Sequence, residues 1–124
     1  MQELAAGKFV EKKSRFYAHL YMIDAIEDIE IILKIHRTKY KKANHHCYAG
    51  ILKGPHSCIE KHQDDGEVGH PGKVLFELLK SNGLTHHVIM VSRLFGGIKL
   101  GVGGVSKAFK EAGSATIQYY QNQK

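Results

Sequence analysis

The sequence has few cysteines, few prolines and no long apolar run, and these absences exclude several classes of protein. No segment approaches the roughly 18 consecutive apolar residues that a transmembrane helix requires. The two cysteines, Cys47 and Cys58, lie eleven positions apart, and the chain begins Met-Gln-Glu rather than with an apolar targeting segment. We therefore expect a cytoplasmic protein with reduced thiols that binds no membrane.

The composition is that of a folded, basic domain. Hydrophobic residues make up 43% of the 124 positions, and no repeat or linker divides them, so we expect one domain over residues 1–124. Lysine and arginine number 18 against 12 acidic residues, which gives a formal net charge of +6. Such a charge attracts acidic partners, including RNA, ribosomes and acidic proteins; alternatively, it only keeps a small protein in solution.

Hydrophobic periodicity predicts the element order β-α-β-β-α-β-α. Alternating apolar positions indicate strands, spacings of three and four indicate helices, and Asp24 and Pro71 are typical helix-start residues. Helices packed on one sheet in this order predict an α+β fold, a two-layer sandwich. The predicted strands lie at 9–23, 45–53, 57–63 and 87–95, and the helices at 24–37, at 71–82 and from Gly103 or Gly104 onward.

A glycine-rich run, Arg93-Leu-Phe-Gly-Gly-Ile-Lys-Leu-Gly-Val-Gly-Gly104, connects the last predicted strand to the last helix. Amides at a helix N-terminus attract phosphate or another anion, although glycines also serve positive φ and close backbone packing. The run is neither a Walker loop nor Gly-x-Gly-x-x-Gly, because Ser106 takes the last glycine position. The candidate anion-binding residues are Arg93, Gly96, Gly97, Lys99, Gly101, Gly103, Gly104 and Lys107.

An acidic turn, Asp64-Asp65-Gly66-Glu67, places three carboxylates within four residues. Carboxylates can hold a metal or act as acid–base groups, but the spacing is not that of an EF-hand loop. The alternatives are an aspartate that caps backbone N–H groups in a tight turn, or an ion pair with Arg93 or Lys99. We favour a cap or an ion pair.

Histidines and cysteines cluster in the middle of the chain, where zinc ligands deserve consideration. His45 and His46 fall on opposite faces of a predicted strand and Cys47 faces the core, so these side chains cannot share one ion. We expect no metal, no cofactor and no cysteine-based catalysis. The cluster consists of His45, His46, Cys47, His56, Cys58 and His62.

Basic side chains and tyrosines together are typical of nucleic-acid surfaces, because cations contact phosphates and aromatic rings stack on bases. The alternative is an ordinary solvated surface. The candidate nucleic-acid-binding residues are Lys12, Lys13, Arg15, His45, His46, Tyr48 and Lys73.

Three segments of the sequence have the order and separation known from one protein family. They are Lys12-Lys-Ser-Arg-Phe16; Ala43-Asn-His-His-Cys-Tyr-Ala49 with Asp64-Asp-Gly-Glu67 and Gly72-Lys73; and the glycine-rich run continued to Phe109. Together they resemble the N-terminal domain of the IMPACT/YigZ proteins, over residues 8–119. The chain departs from the family at Tyr40, usually histidine, and in the shortened segment after the acidic turn, where Val68 and Val74 take proline positions and His70-Pro71 replaces Thr-Ala.

The resemblance implies a fold similar to ribosomal protein S5 domain 2 and a role near translation. Eukaryotic members bind the ribosome-associated activator of the amino-acid-starvation kinase and restrain that kinase. Bacterial members usually carry a second, ferredoxin-like domain, which we expect to be absent here. The resemblance thus implies a regulatory domain that contacts RNA, the ribosome or a translation-regulating protein. The alternative is a small phosphate- or nucleotide-binding enzyme that uses residues 96–104 and 64–67; we favour a non-enzymatic role.

Overall fold

The computed structural model describes residues 1–123, which form five strands and three helices. The expected strand over 9–23 covers the end of one strand, a turn and a second strand, which form a hairpin over residues 2–22; residues 2–8 were not predicted as a strand. The turn residues of this hairpin, Lys12 and Lys13, both adopt positive φ, 46° and 67°. Glycine or asparagine usually occupies this backbone region. Here two lysines do, so the sequence carried no signal for the turn. The elements are β1 (Gln2–Glu11), β2 (Ser14–Met22), α1 (Asp28–Lys39), β3 (His45–Lys53), β4 (Cys58–Gln63), α2 (Pro71–Ser81), β5 (His86–Leu94) and α3 (Gly101–Asn122).

The sheet has the strand order β1-β2-β5-β3-β4, and every neighbouring pair is antiparallel. β5 lies at the centre, and its apolar run from Val88 to Val91 is fully buried, as its unbroken hydrophobicity predicts. β4 is exposed along its whole length, which confirms the predicted edge strand. The crossover from β2 to β3 passes through α1 and leaves room for β5 between them.

Helices cover both faces of the sheet. α2 and α3 pack over one face, where Phe16, Ala49 and Ile89 belong to the larger core cluster. α1 packs over the other face, where Tyr48 and Met90 belong to a separate cluster. The α+β class is confirmed, and α1 adds a layer that the two-layer prediction did not include. The reason is that β2, β3 and β5 bury both of their alternating sets of side chains.

The helix starts differ from prediction at two of three positions. α2 begins at Pro71, as predicted. α1 begins later than Asp24, because the Asp28 carboxylate accepts the backbone N–H groups of Asp24 and Ala25 at 3.0 and 3.2 Å and holds that turn outside the helix. α3 begins at Gly101, before the predicted start. No helix within residues 1–123 has the length and apolarity to span a membrane.

Candidate functional site

The glycine-rich run lies against the turn of the β1–β2 hairpin. A Cβ atom at Gly96 would lie 2.1 Å from the backbone carbonyl carbon of Lys13, so the two segments touch through their backbones. Gly97 and Gly101 have φ of 90° and 75°, a region that glycine adopts without strain. Packing and positive φ therefore account for several of these glycines, and they bring two distant segments of the sequence together.

The acidic turn is used inside the protein. Asp64 Oδ1 accepts the backbone N–H of Gly72 at 2.8 Å, and Asp65 Oδ2 accepts the backbone N–H of His46 at 2.8 Å. These bonds tie the turn to α2 and to β3, in agreement with the predicted capping role. Within residues 1–123, no group of three histidine, cysteine or acidic side chains is arranged to hold a metal ion.

The third carboxylate of the turn forms a buried ion pair. Arg93 Nη1 lies 2.8 Å from Glu67 Oε2, and the two side chains are only 7% and 4% exposed. Arg93 Nη2 also donates to Ser14 Oγ at 3.3 Å, and the guanidinium lies 5.5 Å from the ring centre of Phe16. Arg93 Nε is buried without a hydrogen-bond partner in the described part of the chain. The structure confirms the predicted pairing of the acidic turn with Arg93; within residues 1–123 it shows none with Lys99.

A groove of about 540 Å³, which we call the α3 groove, opens beside the first turn of α3. Two of its lining residues are cations and most of the others are apolar. A second cavity of about 240 Å³ is lined by two lysines, Lys12 and Lys107, by two glutamates, Glu11 and Glu111, and by apolar residues. Leu100 lines both cavities. The α3 groove is lined chiefly by Arg93, Lys99, Val68, Phe95, Leu100 and Val102.

The candidate anion-binding residues thus come together at one end of the sheet. Gly101, Gly103 and Gly104 form the first turn of α3, whose N-cap residue, Leu100, makes no side-chain hydrogen bond to the helix. Lys99 and Lys107 are exposed, and each lines one of the two cavities.

The candidate nucleic-acid-binding residues are divided between the surface and the core. Lys12, Lys13 and Arg15 are exposed at or beside the hairpin turn, and Lys73 is exposed in the first turn of α2. His45 borders the α3 groove, and its Nδ1 donates to the Asp65 carbonyl at 2.9 Å.

Two of the candidates are wrong as nucleic-acid contacts. His46 is 9% exposed and Tyr48 only 1%, so neither presents a surface on which a base or phosphate can bind. Both lie beneath α1, on the face of the sheet that the two-layer prediction left uncovered.

A buried histidine network beneath α1 is the main feature that the sequence did not reveal. Ser92 Oγ lies 2.7 Å from Nδ1 of both His36 and His46, and Tyr21 Oη lies 3.1 Å from His36 Nε2. The Ser92 hydroxyl has one proton, so it can donate to only one of the two imidazoles and accepts a hydrogen bond from the other. Burial lowers the pKa of His36 to about 3 and lowers that of His46, so both rings are neutral near pH 7.

The network continues to the C-terminal end of α1, where Tyr40 follows the last helical residue. His19 Nδ1 lies 2.5 Å from a Glu3 carboxylate oxygen, and His19 Nε2 lies 2.6 Å from the Tyr40 hydroxyl. The Tyr40 ring stacks on Tyr17 at a centroid distance of 4.6 Å. Ser92 is completely buried, so it cannot act as a nucleophile toward an external substrate. The network therefore positions α1 on the sheet. The sequence did contain a signal for a buried polar network, because polar residues occupy inward-facing positions of the strands.

Comparisons with known proteins identify the family of this chain. The model of the Impact N-terminal domain family matches residues 12–117. Among curated proteins, the IMPACT family member YvyE of Bacillus subtilis is 32% identical over 96% of this chain and 55% of its own length. The IMPACT family member YigZ of Escherichia coli is 35% identical over 79% of this chain and 49% of its own length.

Solved structures share the fold. A crystal structure of a hypothetical protein superposes with a TM-score of 0.84 at 29% identity, over 95% of this chain and 61% of that one. The two-domain translational regulator Yih1 superposes with a TM-score of 0.62 at 25% identity, over 94% and 45%. The chain spans about half the length of the curated bacterial relatives described above. It belongs to the Impact N-terminal domain family.

Proposed function

We propose that this chain is a non-enzymatic binding domain that acts in the regulation of translation. It holds its target at the end of the sheet where the hairpin turn, the glycine-rich run and the α3 groove meet. The observation that carries this proposal is the convergence there of segments far apart in sequence, with the exposed cations Lys12, Lys99 and Lys107 around one helix N-terminus. The fold shared with Yih1, which is described as a translational regulator, supplies the biological process.

The geometry favours acidic or phosphate-bearing targets, such as RNA, the ribosome or a regulatory protein. Lys99, in a groove with no acidic residue among those that line it in the described chain, and the uncapped N-terminus of α3 create a positive potential that attracts such groups, whereas Lys12 and Lys107 share their cavity with Glu11 and Glu111. The positive charge of the whole chain, +6, acts in the same direction over longer distances.

The enzyme alternative receives less support from the site. A magnesium-dependent nucleotide enzyme needs carboxylates that are free to bind the ion. Asp64, Asp65 and Glu67 each accept a hydrogen bond from within the protein instead. Calorimetry with ATP, GTP and pyrophosphate, with and without magnesium, separates the two functions: binding below millimolar concentration would favour the enzyme.

The proposal is tested by adding the purified chain to a cell-free translation system and measuring reporter synthesis together with cosedimentation on ribosomes. We expect a dose-dependent change in synthesis that the Lys12→Glu/Lys99→Glu/Lys107→Glu variant weakens by about tenfold or more. If phosphate contacts dominate the binding, its affinity also falls as salt rises.

A matched control carries the same change in net charge elsewhere. Lys34→Glu/Lys61→Glu/Lys80→Glu replaces three exposed lysines that line neither cavity beside the glycine-rich run. We expect this control to behave as the parent does. An equal loss in both variants would contradict the location of the site, and no effect of the parent chain on translation would contradict the function itself.

A further inference from the structure

We infer that the α3 groove is a docking site for a protein segment in which large apolar side chains stand beside acidic ones. The inference rests on the proposed function as a binding domain and specifies the chemistry of the partner. Its first support is the exposed apolar surface at the groove. Val68, Phe95 and Val102 are 51%, 48% and 62% exposed, and Ile98, 43% exposed, follows in the same run. Contiguous apolar surface of this kind marks interaction sites in soluble proteins.

The groove is complementary in charge to an acidic segment. None of the residues that line it within the described chain is acidic, whereas Lys99 is exposed at its side. Arg93 also lines the groove, but its charge is balanced by the buried ion pair with Glu67 and only its Nε lacks a hydrogen-bond partner among residues 1–123, so Lys99 is the exposed cation here. The uncapped N-terminus of α3 adds partial positive charge at the same place. An acidic side chain next to Lys99 therefore gains favourable electrostatic energy.

The walls of the groove are held in place before any partner arrives. The hydroxyl of Ser106 in α3 donates to the carbonyl oxygen of Gly69, next to Val68. A Cβ atom at Gly69 would lie 2.8 Å from the carbonyl oxygen of Val102, so this loop and the helix are in backbone contact. Preformed walls reduce the entropy that binding would otherwise cost. The volume, about 540 Å³, is adequate for a few side chains.

The lining favours protein over RNA. Single-stranded RNA is bound by aromatic rings on which bases stack, and the residues that line the groove in the described chain supply two such rings, Phe95 and the imidazole of His45, against four aliphatic side chains. Val68, Leu100 and Val102 instead present aliphatic surface, which suits leucine or phenylalanine side chains of a peptide. Among the tyrosines, Tyr21 and Tyr48 are buried and Tyr17 is stacked on Tyr40.

The test uses fluorescence anisotropy with short labelled peptides and the intact 124-residue chain. The probe peptide contains leucines flanked by aspartates and glutamates; one comparison peptide replaces the leucines with serine and another replaces the acidic residues with lysine. A labelled single-stranded RNA of similar length is measured alongside. We expect the acidic, leucine-containing peptide to bind about tenfold or more tightly than the other three ligands.

Variants then locate the binding. Val102→Asp and Lys99→Glu are each expected to weaken binding of the probe peptide by about tenfold, because the first removes apolar contact and adds a negative charge, and the second reverses the charge of the exposed lysine. Both positions are exposed, so the fold is expected to persist. The matched controls, Ile31→Asp and Lys34→Glu, change an exposed apolar residue and an exposed lysine on α1 and are expected to leave binding unchanged.

The outcomes separate this inference from the proposed function. Stronger binding of the RNA, equal binding of all peptides, or a probe affinity insensitive to Val102→Asp would overturn the inference. If the chain still alters cell-free translation in that case, the proposed function stands with a different partner chemistry. If the probe peptide binds as expected but translation is unaffected, the docking site stands and the role in translation is wrong.

Discussion

Acidification is expected to destabilise the protein through His36, and the size of the effect follows from its position beneath α1. The ring is 1% exposed, and burial lowers its pKa from 6.5 to about 3. Between these values the unfolded chain binds a proton at this histidine and the folded protein does not. The free energy of unfolding therefore decreases as pH falls through this window.

The magnitude is set by the width of the window. Each pH unit below 6.5 and above about 3 costs about 1.4 kcal/mol per such group. From pH 7 to pH 5 the loss attributable to His36 is therefore about 2 kcal/mol. His19 and His46 act in the same direction, because burial lowers the pKa of each.

The assay is urea unfolding of the parent and of His36→Gln at several pH values between 5 and 8. Glutamine keeps hydrogen-bonding groups near Ser92 and Tyr21 but does not titrate, so the variant is expected to be less stable at pH 7 yet to lose about 2 kcal/mol less on acidification. The control, His56→Gln, replaces an exposed histidine and is expected to follow the parent. Equal losses in the parent and His36→Gln would refute the reasoning.

Three further predictions concern packing and burial. Glu67→Ala leaves the Arg93 charge buried and unpaired and is expected to reduce the free energy of unfolding by about 3–5 kcal/mol in urea titrations; a loss below about 1 kcal/mol would contradict a buried pair. Gly96→Ala is expected to destabilise the protein by at least about 1–3 kcal/mol, because the added methyl group clashes with the hairpin turn. Gly103→Ala, whose methyl group meets open space in a helix, is expected to stabilise the protein by about 0.5–1 kcal/mol. If thermal unfolding gives the reverse order of stability, the contact of Gly96 with the hairpin turn is absent. In native protein the thiol reagent DTNB is expected to modify the exposed cysteine and spare Cys47, because burial raises the pKa of that thiol; modification of both at similar rates would contradict its burial.

The sequence was sufficient for elements whose local signals agree with their tertiary environment. The unbroken apolar run at 88–91 predicted the central strand, and Pro71 predicted the start of α2. Family motifs likewise identified the segments that meet at the α3 groove, since their order along the chain is characteristic. The hairpin turn was missed because Lys12 and Lys13 are not typical turn residues, and the first strand was missed because apolar alternation is clear only from Phe16 to Met22.

The amino-acid sequence by itself determined the class of fold, the family and most of the helices and strands, because periodicity and short motifs are local properties. Only the tertiary structure decided which polar residues are buried and which side chains meet. His46 and Tyr48 belong to an alternating strand that alone does not show α1 lying over it. The sequence left the ion pair of the acidic turn open between Arg93 and Lys99, and only the fold shows that Glu67 pairs with Arg93, beside the groove. Such contacts arise only when the sheet brings its strands together, so no local pattern encodes them.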